Sequence, residues 1–345
     1  MSSRRVEMAL MSLGRRPLTC LYCQSRRSFT SSALRAARPE KPAAGTSFDP
    51  KSDISGPAIE APRSYGKKFQ GEFTPMPLPR PIGMPLPPRP GENTGVDNRT
   101  REQRKKDFSD YDKHLERRKE LTAKLARPYF RDWGNLQHHK GKSFIAPPRL
   151  FKAEVSLFFP NLYGQTILKD DKEPRDTTPL MTGRATVVSI FSSQWAESQV
   201  ATFASKEANP ALHEVLAKNP TIAQHVNINY EDNAGKAWLV SFFMGSLRKR
   251  FPERDWDKYF LVRGGITDNI RESIGLLNSK VGYTYLVDQH CRIRWAGSGP
   301  SEEHERESLA KGLAKLVDDI GKEAKLPASA REQSRGKEHL VQQKA

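Results

Sequence analysis

Near the C-terminal end, Gly282-Tyr-Thr-Tyr-Leu-Val-Asp288 and Cys291-Arg-Ile-Arg-Trp-Ala296 are two runs of β-forming residues separated only by Gln289-His290. A connection that short joins antiparallel neighbours, so the pair predicts a β-hairpin. Two-residue alternation places Cys291, Ile293 and Trp295 on one face and Arg292 and Arg294 on the other. Residues 301–323 come next, with Leu309, Leu313, Leu316, Val317 and Ile320 at the spacing of a strongly amphipathic helix. A hairpin and one helix do not bury enough to stand alone, so the rest of the sheet has to come from upstream.

The upstream residues supply it. Ala185-Thr-Val-Val-Ser-Ile-Phe191 is a short, β-branched apolar run that fits a buried strand. Val200, Phe203 and Ala204 mark a helix over 195–205, and Leu212, Val215 and Leu216 a second over 210–218. His225–Tyr230 alternates as a strand. Leu239, Phe242, Phe243 and Leu247 give a helix over 236–250, Lys258–Arg263 another strand, and Ile266, Ile270, Ile274 and Leu277 a further helix. Strand, helices, strand, helix, strand, helix, hairpin, helix argues for a central mixed α/β sheet covered by helices.

The N-terminal third is different. Residues 1–38 hold eight arginines and a single acid, Glu7, among serines and small apolar residues. This Arg-rich, Ser-rich, acid-poor composition is that of a mitochondrial transit peptide. Arg26-Arg27-Ser28-Phe29 predicts cleavage after Phe29 or within the next several residues. The segment carries seven of the seventeen net positive charges, so the mature chain keeps +10. It also carries Cys20 and Cys23, whose C-x-x-C spacing is redox-like but would leave with the presequence, so Cys291 is the one mature cysteine. No run of about 18 apolar residues exists, which argues against a transmembrane helix.

From 39 to 98, proline alternates through Pro75-Met-Pro-Leu-Pro-Arg-Pro and onward to Pro90. Missing backbone donors and a fixed φ favour polyproline II, so the segment is expected as a disordered, stiff linker or a docking strip without packed structure. Residues 99–127 predict a charged helix, with Phe108, Tyr111 and Leu115 at i, i+3, i+7 making one narrow apolar stripe. Such a stripe among Lys and Arg suits an anionic membrane surface or a partner, and equally a solvated face over a small seam. His138 and His139 are adjacent but lack further metal ligands.

These elements carry a resemblance. Phe159-Pro-Asn-Leu-Tyr-Gly164 through Gly183–Phe191 resembles the opening of peroxiredoxin and thiol–disulfide oxidoreductase domains, and the element order is that of the thioredoxin fold with a peroxiredoxin-type insertion. In that family the strand runs into Trp-Cys-x-x-Cys. Here Trp195 is in place, but Ala196 and Gln199 hold the two cysteine positions, and neither side chain can act as the thiolate does. Asn278-Ser-Lys-Val-Gly-Tyr-Thr-Tyr-Leu-Val-Asp-Gln-His-Cys-Arg-Ile-Arg-Trp-Ala-Gly-Ser-Gly299, with Tyr259-Phe260 and Arg271-Glu272, resembles the mitochondrial ATP synthase assembly factors that chaperone membrane-sector subunit 6 (subunit a). The resemblance covers roughly residues 128–317 and implies a thioredoxin-like domain, which the amphipathic helix extends to give 128–323; the polar residues 324–345 are expected as a disordered tail. The resemblance further implies a peripheral protein on the matrix side of the inner membrane that holds newly made subunit 6 and brings it to the rotor ring. It implies no cofactor and no catalysis.

The candidate partner-binding residues are Trp195, Glu197, Arg271, Tyr283, Arg292, Arg294 and Trp295. Each also has a plain structural reading. Trp195 and Glu197 open a helix, where packing and the dipole favour them. Arg271-Glu272 reads as an exposed helix face. Trp295 either fills the core beside a solvated Arg294, or the pair presents a guanidinium for an acid or an aromatic ring. Two other functions fit parts of the sequence. Cys291 alone suggests a one-cysteine thiol enzyme, but it sits in a late hairpin, away from the first strand–helix junction where a peroxidatic cysteine belongs. The residual positive charge suggests an RNA- or ribosome-associated protein. There is no aromatic-bearing RNA motif, so nucleic acid is not expected as a partner.

Overall fold

The run 185–191 becomes an interior strand of a seven-stranded sheet and is buried at all seven positions. The computed structural model describes residues 58–65, 68–97, 99–125, 130–169, 173–231 and 244–325. The expectations for 1–57, for 326–345 and for 236–243 lie outside the described residues. In chain order the helices are α1 (Arg101–Ser109), α2 (Tyr111–Leu125), α3 (Arg131–Asn135), α4 (Thr178–Met181), α5 (Gln194–Ala204), α6 (Pro210–Lys218), α7 (Met244–Arg250), α8 (Asp268–Ser273) and α9 (Glu303–Lys325). The strands are β1 (Tyr163–Thr166), β2 (Arg175–Asp176), β3 (Ala185–Phe191), β4 (Ala223–Tyr230), β5 (Tyr259–Val262), β6 (Tyr283–Val287) and β7 (Ile293–Ser298).

The sheet order is β2-β1-β5-β4-β3-β6-β7. β3, β4 and β5 run parallel, and β6 pairs antiparallel with both β3 and β7. A parallel β3–β4 unit crossing over through α5 and α6, then the β6–β7 hairpin and α9, is the thioredoxin arrangement. β5, β1 and β2 widen the sheet on one side. The exposed edge of β7 is closed by the chain just ahead of β1. Ile293 donates to Leu157 O at 2.7 Å, Phe151 donates to Arg294 O at 2.8 Å, and Phe159 donates to Cys291 O at 2.7 Å. This pairing covers the edge over residues 291–294, where another strand could otherwise add.

The hairpin departs from the alternation expected of it. Leu286 faces Trp295 but Val287 faces Ile293, so Arg294 is an extra residue in β7, a β-bulge. One inserted residue moves those beyond it to the opposite face. Cys291 and Ile293 therefore join the cluster on one side, and Trp295 the cluster under α9 on the other. Arg292 and Arg294 are also buried, both on the Asp288 carboxylate, at 3.0 and 3.2 Å.

Residues 58–97 correct the expectation of a linker without packed structure. They lie as an extended strap over the sheet face away from α9, with Ile59, Ala61, Tyr65, Phe73, Leu78 and Ile82 all buried. Backbone hydrogen bonds tie the strap to the domain. Leu78 donates to Ile145 O at 3.1 Å, Ile145 returns a bond to Met76 O at 2.9 Å, and Gly83 donates to Ser273 O at 2.7 Å. Periodicity could not show this, because a proline-rich extended segment buries side chains irregularly. α8 supplies the clamp. Glu272 accepts two hydrogen bonds of 2.8 Å from Arg63 and one of 2.9 Å from Tyr65. Burial raises the Glu272 carboxyl, but the bonds from Arg63 and Tyr65 outweigh it and hold the group below its ordinary value.

Each large strap residue buried this way contributes roughly 1.5–3 kcal/mol. Ile82→Ala, at a side chain with 1% exposure, should cost about 2–4 kcal/mol in urea unfolding. A loss near zero would mean that the strap does not pack on the domain in solution. A depressed carboxyl stabilises the fold above its unfolded pKa and ceases to as pH falls through the folded one. The gap in urea midpoint between the wild type and Glu272→Gln should therefore shrink from pH 7 to pH 3.

Candidate functional site

The place where a thioredoxin-like domain carries its chemistry is the N-terminus of α5. Ser193 caps this helix, its hydroxyl accepting from the Ala196 N–H at 3.2 Å, as an N-cap serine should. Ala196 and Gln199, at the two cysteine positions, are both buried, with exposures of 0 and 4%. Gln199 uses both ends of its amide. Its Nε2 donates to Lys140 O at 3.0 Å and its Oε1 accepts from the Gly282 N–H at 2.9 Å. The segment around Lys140 is thereby held over the α5 N-terminus. Its turn has positive φ at His139, Lys140 and Gly141. Gly282 passes so close that a Cβ there would press on the Ala196 carbonyl and on Val200. An amide bridge closes the position that a reactive thiol would need open.

Around this plug the surface is aromatic. Trp195 is 48% exposed on the first turn of α5 and Trp133 is 51% exposed on α3. The turn at Ser279 ties their elements together. Ser192 donates to Ser279 O, Ser279 donates to the Asp132 carboxylate, and Asn278 Nδ2 donates to Asp132 O at 3.1 Å. Glu197, nearby on α5, accepts from Arg250 of α7 at 2.8 Å. That ion pair borders a cleft of about 1050 Å³ between α5, α6 and the 253–258 turn. The cleft floor is polar, built from Ser189, His225 and Asn227, with Ser189 Oγ 3.0 Å from His225 Nε2. Burial lowers the His225 pKa to about 4, which keeps the ring neutral.

Of the seven predicted residues, only Trp195 and Glu197 stand at this surface. Trp295 is fully buried. Its Nε1 donates to Pro147 O and Ser308 Oγ, both at 3.0 Å, and its ring meets Phe203 edge-on at 5.8 Å. Tyr283 is buried, with its hydroxyl accepting from the Asn278 N–H at 2.9 Å. Arg271 corrects the expectation of an exposed helix face. It is 2% exposed, with Nη2 on the Tyr230 hydroxyl at 2.9 Å and its guanidinium over that ring. Arg292 and Arg294 are tied to Asp288 inside the hairpin. These five are buried in contacts within the fold, and Arg292 and Arg294 also line a pocket of about 280 Å³ with Asp288 and His290. Trp133 is the surface residue that sequence reasoning missed. Its only signal was an aromatic in a stretch without periodicity.

Among the remaining candidates for chemistry Cys291 is buried, whereas His138 is half-buried and His139 exposed. Burial pushes the Cys291 thiol up to about 11, opposed only in part by its contact with Thr182. His138 and His139 pack edge-on against Phe69 and Phe73 of the strap. Iodoacetamide at pH 8 should leave Cys291 unmodified in the native mature chain and alkylate it in denaturant, because the thiolate is the nucleophile. Rapid native modification would restore the thiol-enzyme reading. Gln199→Leu should cost about 1–3 kcal/mol in urea unfolding, since it orphans the buried Gly282 N–H and the partly buried Lys140 carbonyl.

Comparison with known proteins bears on the same residues. A family model described as ATP10 protein matches residues 64–316, from within the strap into α9. The chain is 29% identical over 248 residues to the mitochondrial ATPase complex subunit ATP10 of Saccharomyces cerevisiae, covering 69% of this chain and 86% of that one. It is 28% identical over 235 residues to the protein of the same description from Eremothecium gossypii, covering 68% and 82%. Among solved structures it is similar to a putative thiol:disulfide interchange protein DsbE from Chlorobium tepidum. That match has 12% identity and a TM-score of 0.32, over 47% of this chain and 96% of that one. A secreted thiol-disulfide isomerase from Corynebacterium glutamicum matches at 10% identity and a TM-score of 0.34, over 50% and 92%.

Proposed function

The chain belongs to the ATP10 family, and from that membership we propose that it is an assembly factor of the mitochondrial ATP synthase. It binds newly made membrane-sector subunit 6 and promotes its joining to the rotor ring. It works in the mitochondrion, peripherally on the matrix side of the inner membrane. The relatives described as mitochondrial ATPase complex subunits support the complex and the compartment. Among the described residues, no helix is long and apolar enough to cross a membrane.

The observation that carries the non-enzymatic part of this reading is the pair Ala196 and Gln199. The scaffold keeps the tryptophan before the lost cysteines and seals the thiol positions with an amide. The α5 N-terminus then acts as a binding surface centred on Trp195, with Glu197 and Trp133 beside it. An exposed tryptophan on a rigid, capped helix loses little conformational entropy on contact and buries a large area, the usual property of an interface anchor.

Deletion of the gene, with native-gel separation of mitochondrial complexes, should show loss of assembled ATP synthase. Normal levels of intact enzyme would overturn the reading. Trp195→Ala tests the surface separately. It should change stability by no more than about 0.5 kcal/mol and reduce assembled ATP synthase. A photocrosslinker at position 195 should capture newly made subunit 6, and one at the buried position 295 should not.

A further inference from the structure

α1 and α2 form by local signals alone. Thr100 caps α1 in a capping box with Gln103, its hydroxyl taking the Gln103 N–H at 3.2 Å while the Gln103 amide takes the Thr100 N–H at 2.9 Å. Asp110 ends α1 and starts α2, accepting from the Asp112 N–H at 3.1 Å. α1 has no buried residue. Yet the arm carries large apolar side chains. Phe108 is 71% exposed, Tyr111 72% and Leu121 52%. A helix that buries nothing in its own chain but keeps an apolar stripe has its partner elsewhere.

Charge says what that partner is. Residues 99–125 hold ten Lys and Arg against six Asp and Glu. The acids are arranged asymmetrically. Asp112 and Glu116, at i and i+4, share one side of α2. Tyr111, Leu115, Arg118 and Thr122 repeat at i, i+4, i+7, i+11 and occupy the other. Asp107 is already engaged by Arg99 and Lys113, at 2.9 and 2.5 Å. Arg117, Arg118 and Lys119 make no ion pair among the described residues. The side of α2 turned away from Asp112 and Glu116 thus carries Tyr111, Leu115 and Leu121 interleaved with Arg117 and Arg118, and Lys119 stands at its border with the acids.

We propose that the α1–α2 arm docks on an anionic phospholipid surface, with Phe108, Tyr111 and Leu121 entering the headgroup boundary and Arg117, Arg118 and Lys119 meeting lipid phosphates. A water-soluble acidic protein would match the charge but not the aromatic stripe, and a neutral apolar groove would match the stripe but not the flanking cations. This deepens the proposed membrane association and rests on it only for the choice of a bilayer. It names the surface that makes the contact.

Flotation of the full mature chain with vesicles tests it. The probes are phosphatidylcholine alone and phosphatidylcholine with one third phosphatidylglycerol. The chain should float with the anionic vesicles, bind neutral ones far more weakly, and lose binding as salt rises. Phe108→Ser with Tyr111→Ser, and separately Arg117→Glu with Arg118→Glu and Lys119→Glu, should each weaken binding at least about tenfold. Arg117→Lys with Arg118→Lys should retain it. Equal binding to both vesicle types, or no loss in either set of variants, overturns the proposal. So does arm-dependent capture of single-stranded RNA in place of vesicles. Subunit 6 is absent from this assay, so its outcome is independent of the Trp195 experiment.

Discussion

A sheet whose central strands run parallel must be covered on both faces, and the long helices packed on it among the described residues cover one. α5, α6 and α9 cover the side that holds Trp295, Leu286 and Val187. On the other side, among the described residues, the helices against Val188, Ile228 and Tyr285 are the short α4, with four residues, and α8, with six. Parallel strands left half bare would expose aromatic and β-branched surface to water. The strap over 58–97 is therefore part of the fold. Proline suits the task. It keeps the strap extended and narrows the unfolded ensemble, so that ordering the segment costs less entropy than for a flexible chain. The Arg63–Glu272–Tyr65 cluster then fixes the strap to α8, linking residues more than 200 positions apart in sequence.

The line between what could be read from the sequence and what could not runs along that distance. β3, α6 and α9 were legible because their signals are local: a β-branched run, Leu212, Val215 and Leu216 at helical spacing, and leucines at heptad-like spacing. The hairpin was legible as a hairpin. Its bulge was not, because Arg294 looks like any outward residue until Asp288 gathers both arginines from across the turn. Arg271 looked solvated for the same reason, since its partner Tyr230 lies 41 residues away on another strand. The strap was invisible to any periodicity, because its buried side chains track the relief of the sheet beneath them. At the candidate site, the loss of both cysteines was plain in the residues. The closure of the site by Gln199 was not, since the carbonyl and the N–H that it bridges belong to two distant loops.

The plugged site is consistent with the binding role proposed for the α5 N-terminus. A redox thiol must be reachable and must be stabilised as an anion at a helix N-terminus, so the loops around it stay open. Once Ala196 and Gln199 occupy those positions the demand lapses, and the loop at 138–142 can close over the helix through hydrogen bonds that also stabilise the fold. On the outside of the closed position stands the half-exposed Trp195. It is held on a capped helix that is braced by the Glu197–Arg250 pair. Rigid support beneath an exposed aromatic is what a recognition surface needs. The α1–α2 arm obeys the opposite logic. Its helices owe their form to caps and sequence-local bonds, so its outward residues can be matched to a second surface without cost to the core. The two exposed apolar features thus answer to different constraints, and a change in one leaves the other intact.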